Sequence, residues 1–157
     1  MINQGTKKPS FGLDFPDWKK VYVPEDIDRL AAIVVDSAFS VHNELGPGLL
    51  ENVYEACLSH ELKLRGVHQL LQVPVPVDYK GIRLEIGYRA DVLVEEKLLI
   101  EIKAVDQLLP VHTAQVITYL RIKRLPLGLL INFNEVLIKA GIHRVLNVPR
   151  SPEDKLA

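Results

Sequence analysis

A chain of 157 residues, 48% hydrophobic and 25% charged, suits one ordinary globular domain with a proper core. Its formal net charge of -1 excludes a global basic field, so a nucleic-acid role would need a local patch of Lys and Arg. The single cysteine, Cys57, excludes an internal disulfide, and no apolar run approaches the length of a membrane span.

Cys57 sits among apolar residues and reads as a buried thiol in a reducing compartment. The opening "MINQGTKKPS" lacks the apolar core of a signal peptide, so a cytoplasmic location is expected. Residues 1–23, with Gly5, Pro9, Gly12 and Pro16, show no period and read as an arm, pinned by Phe11, Phe15 or Trp18. A single domain is expected over residues 24–148, followed by a frayed tail at 149–157.

Pro24, Glu25 and Asp26 announce a helix, with proline in its first turn and acids near the positive end of its dipole. Leu30, Ile33, Val34, Ala38 and Val41 carry it at helical spacing to Leu45, where "GPG" (46–48) stops it. A second helix is expected from Leu50 to Arg65, its apolar stripe made of Leu50, Val53, Tyr54, Cys57, Leu58 and Leu62, with Gly66 ending it.

Residues 72–104 then read as a three-stranded antiparallel meander with turns at Lys80-Gly81 and Glu95-Glu96-Lys97. Pro74 and Pro76 suit an edge strand, because proline cannot donate to a ladder. A third helix is expected over Val111–Lys123, then a buried strand in "LPLGLLINF", then a short strand or helix using Ile138, Ile142 and Val145. The class is α/β in the sense of a mixed sheet with helices packed on it.

The stretch "YRADVLVEEKLLIEIKA" (88–104) places charges inside two apolar strands. Strand side chains alternate, so Tyr88, Ala90, Val92 and Val94 share one face with Leu98, Ile100, Ile102 and Ala104. Arg89, Asp91 and Leu93 share the other with Leu99, Glu101 and Lys103. A three-residue turn pairs Val94 with Leu98 and so sets Asp91 opposite Glu101. Facing carboxylates repel unless a divalent cation lies between them, and magnesium takes one or two carboxylates with water and phosphate oxygens. Lys103, on the same face, reaches the attacking water or the developing phosphate charge. The plainer alternative is a solvated face with Arg89 and Lys103 as salt-bridge partners. Against it, Leu93 and Leu99 share that face, so something must cover part of it.

The pattern Asp91, then Glu101-Ile102-Lys103, in such a meander resembles the PD-(D/E)XK nuclease superfamily. "GLLENVY" (48–54) resembles the signature of its GxxExxY family, and Gln115 with Tyr119 resembles the Gln-x-x-x-Tyr motif of RecB-like nucleases. The likeness runs from about Ile33 to Asn147 and departs at Ala90, where the superfamily motif has proline. It implies a restriction-endonuclease-like αβββαβ core with an extra N-terminal helix, and metal-dependent phosphodiester cleavage. It further implies that Asp91 and Glu101 are ligands of Mg2+ or Mn2+, with the Ile102 carbonyl and Glu51 adding to the set. Lys103 would be the charge on the transition state, and Gln115 and Tyr119 would line the site.

Taken alone, Glu51 is equally an acid in a first helical turn, and Gln115 and Tyr119 the polar edge of a helix. His42 needs no more than a helix C-terminus, and His112 merely begins a helix. Lys80, Arg83 and Arg89, or Arg121, Lys123 and Arg124, would contact substrate or form plain surface. The partner implied is a nucleic acid, DNA foremost, with no membrane and with a homodimer open. Two other functions stay open: a non-catalytic nucleic-acid or protein-binding module, and a metal hydrolase acting on another phosphorylated substrate.

Overall fold

The computed structural model describes residues 21–148; the arm with Phe11, Phe15 and Trp18 and the tail 149–157 lie outside the described residues. Helix α1 (Glu25–Leu45) begins where Pro24 O accepts the Ile27 and Asp28 amides and ends at Gly46, φ 66°. Its first-turn acids also tie the helix down, Asp26 to Lys97 at 2.8 Å and Asp28 to Arg144 at 2.6 Å. Helix α2 (Glu51–Leu64) follows, then strands β1 (Gln69–Tyr79), β2 (Ile82–Val94) and β3 (Leu98–Lys103). Helix α3 (Pro110–Lys123) crosses to β4 (Leu127–Asn132), and a one-turn α4 (Ile138–Gly141) leads into β5 (Ile142–Leu146). Both a short helix and a strand thus occupy the end where one or the other was expected.

The five strands form one sheet in sequence order, β3 and β4 parallel and the other neighbours antiparallel. This is the αβββαβ core with an extra N-terminal helix. Parallel neighbours need a long crossover, and α3 supplies it. Lys80 and Gly81 both take positive φ, 45° and 88°, as a two-residue hairpin turn requires. Strand β1, with Pro74 and Pro76, is an outer edge of the sheet.

Each face of the sheet buries its own cluster. Val34, Ala38, Tyr54, Leu58 and Leu62 of α1 and α2 pack on Val92, Val94, Ile100, Ile102 and Leu129. On the other face Val116, Tyr119 and Leu120 of α3 pack on Val75, Ala90, Leu99 and Leu130.

Four expectations need correction. The α2 stripe is narrower than expected: Leu50 is 72% exposed, because it precedes the helix in an extended conformation and leaves the stripe's line. Cys57 is only partly buried, at the edge of that stripe. Ala90 joins the α3 cluster, the face opposite Val92, and Tyr88 is 59% exposed. The alternation breaks at Asp91, where the β1–β2 ladder skips a pair between Leu71–Val92 and Val73–Ala90 and the facing residue, Gln72, has φ 52°. Finally, His42 is buried in α1 and its Nε2 lies 2.7 Å from Glu135 O, so it pins α1 to the segment after β4 and is more than a dipole partner.

Candidate active site

Strand β3 is the middle of the five, paired on both sides, and its Leu99-Glu101-Lys103 row faces α3. That position explains why Glu101 is only 3% exposed: the sheet and α3 close over it. The β2–β3 register runs Val94–Leu98, Leu93–Leu99, Val92–Ile100, and one further step would give the expected Asp91–Glu101 pair. The backbone ladder stops before that step, and Asp91 Oδ2 accepts the Ile102 amide at 2.7 Å.

Lys103 Nζ donates to Glu101 Oε1 at 3.0 Å, the lysine side chain 14% exposed. Glu101 Oε2 is buried and has no hydrogen-bond partner among the described residues. Burial above all, and then the Asp91 charge, push the Glu101 carboxyl up to about 7 against the pull of Lys103. Asp91 is raised too, chiefly by burial, while the Ile102 N–H opposes the shift.

Two helices complete the surroundings. Glu51 opens α2 with its Oε1 3.4 Å from the Ala104 amide, and its charge bears on both Asp91 and Glu101. From α3, Gln115 Nε2 donates to Tyr119 Oη at 2.6 Å. Burial drives the Tyr119 phenol up to about 12, and the charges of Glu101 and Asp91 add to it. Tyr88 leans on the Tyr119 ring, centroids 5.7 Å apart. Asp91, Glu101, Lys103, Glu51, Gln115 and Tyr119 therefore gather at one end of the sheet.

The proposed substrate contacts do not gather there in the same way. Arg83 is spent on Glu85 at 2.7 Å and Asp78 at 3.9 Å, and Lys80 lies over Tyr79 near the hairpin turn. Arg89 donates to Gln72 O at 3.1 Å, Arg124 caps α3 in a left-handed conformation, and His112 Nδ1 accepts the Leu109 amide at the start of that helix.

Tyr54, fully buried and stacked on Phe133 at 4.6 Å, holds the turn that launches Glu51. Its hydroxyl donates to Gly46 O at 2.6 Å and accepts the Leu49 amide at 3.1 Å. Tyr54→Phe strands both backbone groups, so it should cost about 1–3 kcal/mol in urea unfolding. It should also weaken divalent-ion binding by freeing Glu51; an unchanged stability would remove the turn-holding role.

Three participants escaped the sequence reading. Gln72 Nε2 donates to Asp91 Oδ1 at 3.3 Å and to Glu55 Oε2 at 2.5 Å. Glu55 lies one turn after Glu51, which was an available signal. Gln72 had none, because counting from the Lys80-Gly81 turn sets it opposite Arg89, and only the irregularity between Val75 and Val77 moves it opposite Asp91. Asn132 brackets Val105, accepting its amide at 3.0 Å and donating to its carbonyl at 2.9 Å. With Phe133 N–H on Lys103 O at 2.8 Å, this fixes the backbone just beyond Lys103.

Among the described residues no group of three or more His, Cys, Asp or Glu side chains is drawn together at metal-binding spacing. The donors nevertheless fit a hard divalent cation. Glu101 Oε2 is an orphaned buried oxygen, and its neighbours Asp91 and Glu51 are carboxylates, the ligand type that magnesium and manganese take.

No helix among the described residues is long and apolar enough to cross a membrane. No curated protein and no solved structure matches the chain. A family model for the PD-(D/E)XK nuclease superfamily matches residues 28–145, well over half of it, and the span runs from α1 through the meander and α3 to β5. With the acids and the lysine inside that span and the αβββαβ core around them, the chain belongs to the PD-(D/E)XK nuclease superfamily.

Proposed function

We propose that this is a divalent-metal-dependent nuclease of the GxxExxY family, a cytoplasmic enzyme cleaving phosphodiester bonds in DNA through one domain spanning residues 24–148. The observation that carries the reading is Glu101 Oε2, buried and without a partner among the described residues, on the central strand beside a second acid. A fold keeps such an oxygen at a cost unless something else satisfies it.

Asp91, Glu101, Glu51 and the Ile102 carbonyl would hold Mg2+ or Mn2+. A bound divalent ion supplies Lewis acidity toward water and phosphate oxygens. Lys103 brings a positive charge to where negative charge grows on phosphorus, and its charge is strong there because the site excludes most water. Tyr119 stays protonated at neutral pH. Its oxygen already accepts from Gln115, so the phenolic proton is left for a phosphate oxygen, a donor that adds no negative charge. Gln115 thus orients Tyr119, and the Ile102 amide orients Asp91.

A second reading, hydrolysis of a smaller phosphorylated substrate, draws on the net charge of -1 and on the neutralisation of Arg83 by Glu85 and Asp78. The test is cleavage of a panel of single-stranded, duplex and flap DNA, RNA and a chromogenic phosphodiester, with Mg2+, Mn2+ or chelator, and with Glu101→Gln as control. DNA cleavage that needs the ion and Glu101 is the expected result. Turnover of the small phosphodiester alone favours the second reading. Cleavage that survives both chelator and Glu101→Gln discards the site.

A further inference from the structure

We infer that Gln72 is a positioning residue that latches the Asp91 carboxylate to α2; the inference rests on the nuclease reading and deepens it. Within the long strand β1, Gln72 takes φ 52°, a conformation costly to any residue with a side chain and free to glycine. The β1–β2 register runs to Leu71–Val92 and resumes at Val73–Ala90, and Gln72 and Asp91 are the pair left out. Their side chains meet instead: Gln72 Nε2 lies 3.3 Å from Asp91 Oδ1 and 2.5 Å from Glu55 Oε2. The Arg89 guanidinium, donating to Gln72 O at 3.1 Å, fastens the kinked backbone from outside.

The consequence for Asp91 is geometric. Its Oδ2 is held by the Ile102 amide and its Oδ1 by Gln72, so the carboxylate is fixed at both oxygens. A free carboxylate would rotate and present its lone pairs in changing directions. An amide suits the task better than a lysine or arginine would: it offers two N–H donors to two acids and brings no charge to compete with a cation. Gln72 itself is exposed, so packing does not explain why a glutamine occupies a strained position there. Through Glu55, one turn beyond Glu51, the same amide joins α2 to β2 and sets the distance between the acids on the two elements.

Gln72→Gly separates the latch from a merely structural kink, because glycine adopts φ 52° without strain and removes only the amide. The melting temperature is expected to hold or rise. The Ile102 amide, which donates to Asp91, should exchange about tenfold faster, while Ile100 on the regular ladder stays protected. Mn2+ affinity should fall about tenfold, and kcat should fall with KM for DNA unchanged. Gln72→Glu, which replaces the donors with a third carboxylate, should be worse in each respect.

Unchanged Ile102 exchange in Gln72→Gly overturns the inference. So does equal acceleration at Ile100 with a lower melting temperature, which makes Gln72 an ordinary structural residue. Hydrogen exchange needs neither metal nor turnover. A wild type that cleaves nothing therefore removes the nuclease reading, while Ile102 still decides the latch.

Discussion

Glu101→Gln should stabilise the metal-free protein while ending its activity. Folding raises this carboxyl from its ordinary 4.5 to about 7, so the folded state favours the protonated acid. The sign follows: the stability Glu101 contributes is full below pH 4.5 and is lost as pH rises through about 7. Above pH 7 the ionised, nearly buried group costs on the order of 3 kcal/mol. Glutamine keeps the oxygen that Lys103 uses, stays neutral, and places an N–H donor where an oxygen was orphaned. Urea unfolding in chelator should therefore show Glu101→Gln more stable than wild type by about 3 kcal/mol at pH 8, and by much less at pH 5. Added Mg2+ should narrow the gap at pH 8 by stabilising wild type alone. A difference independent of pH, or a variant that still cleaves, would exclude Glu101 from the metal role.

Lys103→Ala should behave in the opposite way. It leaves Glu101 and Asp91 without the cation that Glu101 now holds at 3.0 Å. The metal-free variant should be less stable than wild type above pH 7, where Glu101 ionises beside Lys103, and the loss should shrink at lower pH as Glu101 takes up a proton instead. Metal binding should persist, since the acids remain, and at a hundredfold excess over the dissociation constant it should restore about 2.7 kcal/mol. Turnover should drop by roughly 10²–10³, the usual loss for one electrostatic donor at a transition state. Lys103→Met keeps the apolar stem and serves if the alanine variant does not fold. The measurement pairs thermal melts with and without Mg2+ with single-turnover cleavage. A variant with full rate, or one that no longer responds to the ion, contradicts the division of labour between lysine and acids.

Much of this centre was legible because it lies on a short hairpin. The turn at Glu95-Glu96-Lys97 sets the register from Val94–Leu98 to Val92–Ile100, and just beyond it Asp91 meets the Ile102 amide beside Glu101. Spacing put Gln115 and Tyr119 one helical turn apart, but only their likeness to the Gln-x-x-x-Tyr motif marked them out from a plain polar helix edge. The reading failed where a local conformation broke a period. Nothing in "LLQVPVP" announces a left-handed residue, so the inversion between Ala90 and Val92 stayed hidden, and Gln72 with it. It failed again where contacts join distant segments. The stacking of Tyr54 on Phe133, the Asn132 bracket around Val105 and the His42 contact with Glu135 all depend on tertiary packing, which no spacing rule encodes. The burial of Glu101 followed from β3 being the central strand, and that required the crossover through α3 to be known.

The outer strand β1 has one more implication, for life at high protein concentration. It is an eleven-residue edge, long enough to template another chain, with Leu70, Leu71 and Tyr79 exposed along it. Pro74 and Pro76 interrupt its row of amide donors, and the Gln72 kink bends it out of the flat shape that a docking strand would need. The bend that turns a glutamine toward an acid therefore also guards the sheet against edge-to-edge aggregation. Straightening it by design, with regular strand formers at positions 72, 74 and 76, would be expected to make copies of the chain associate through this rim.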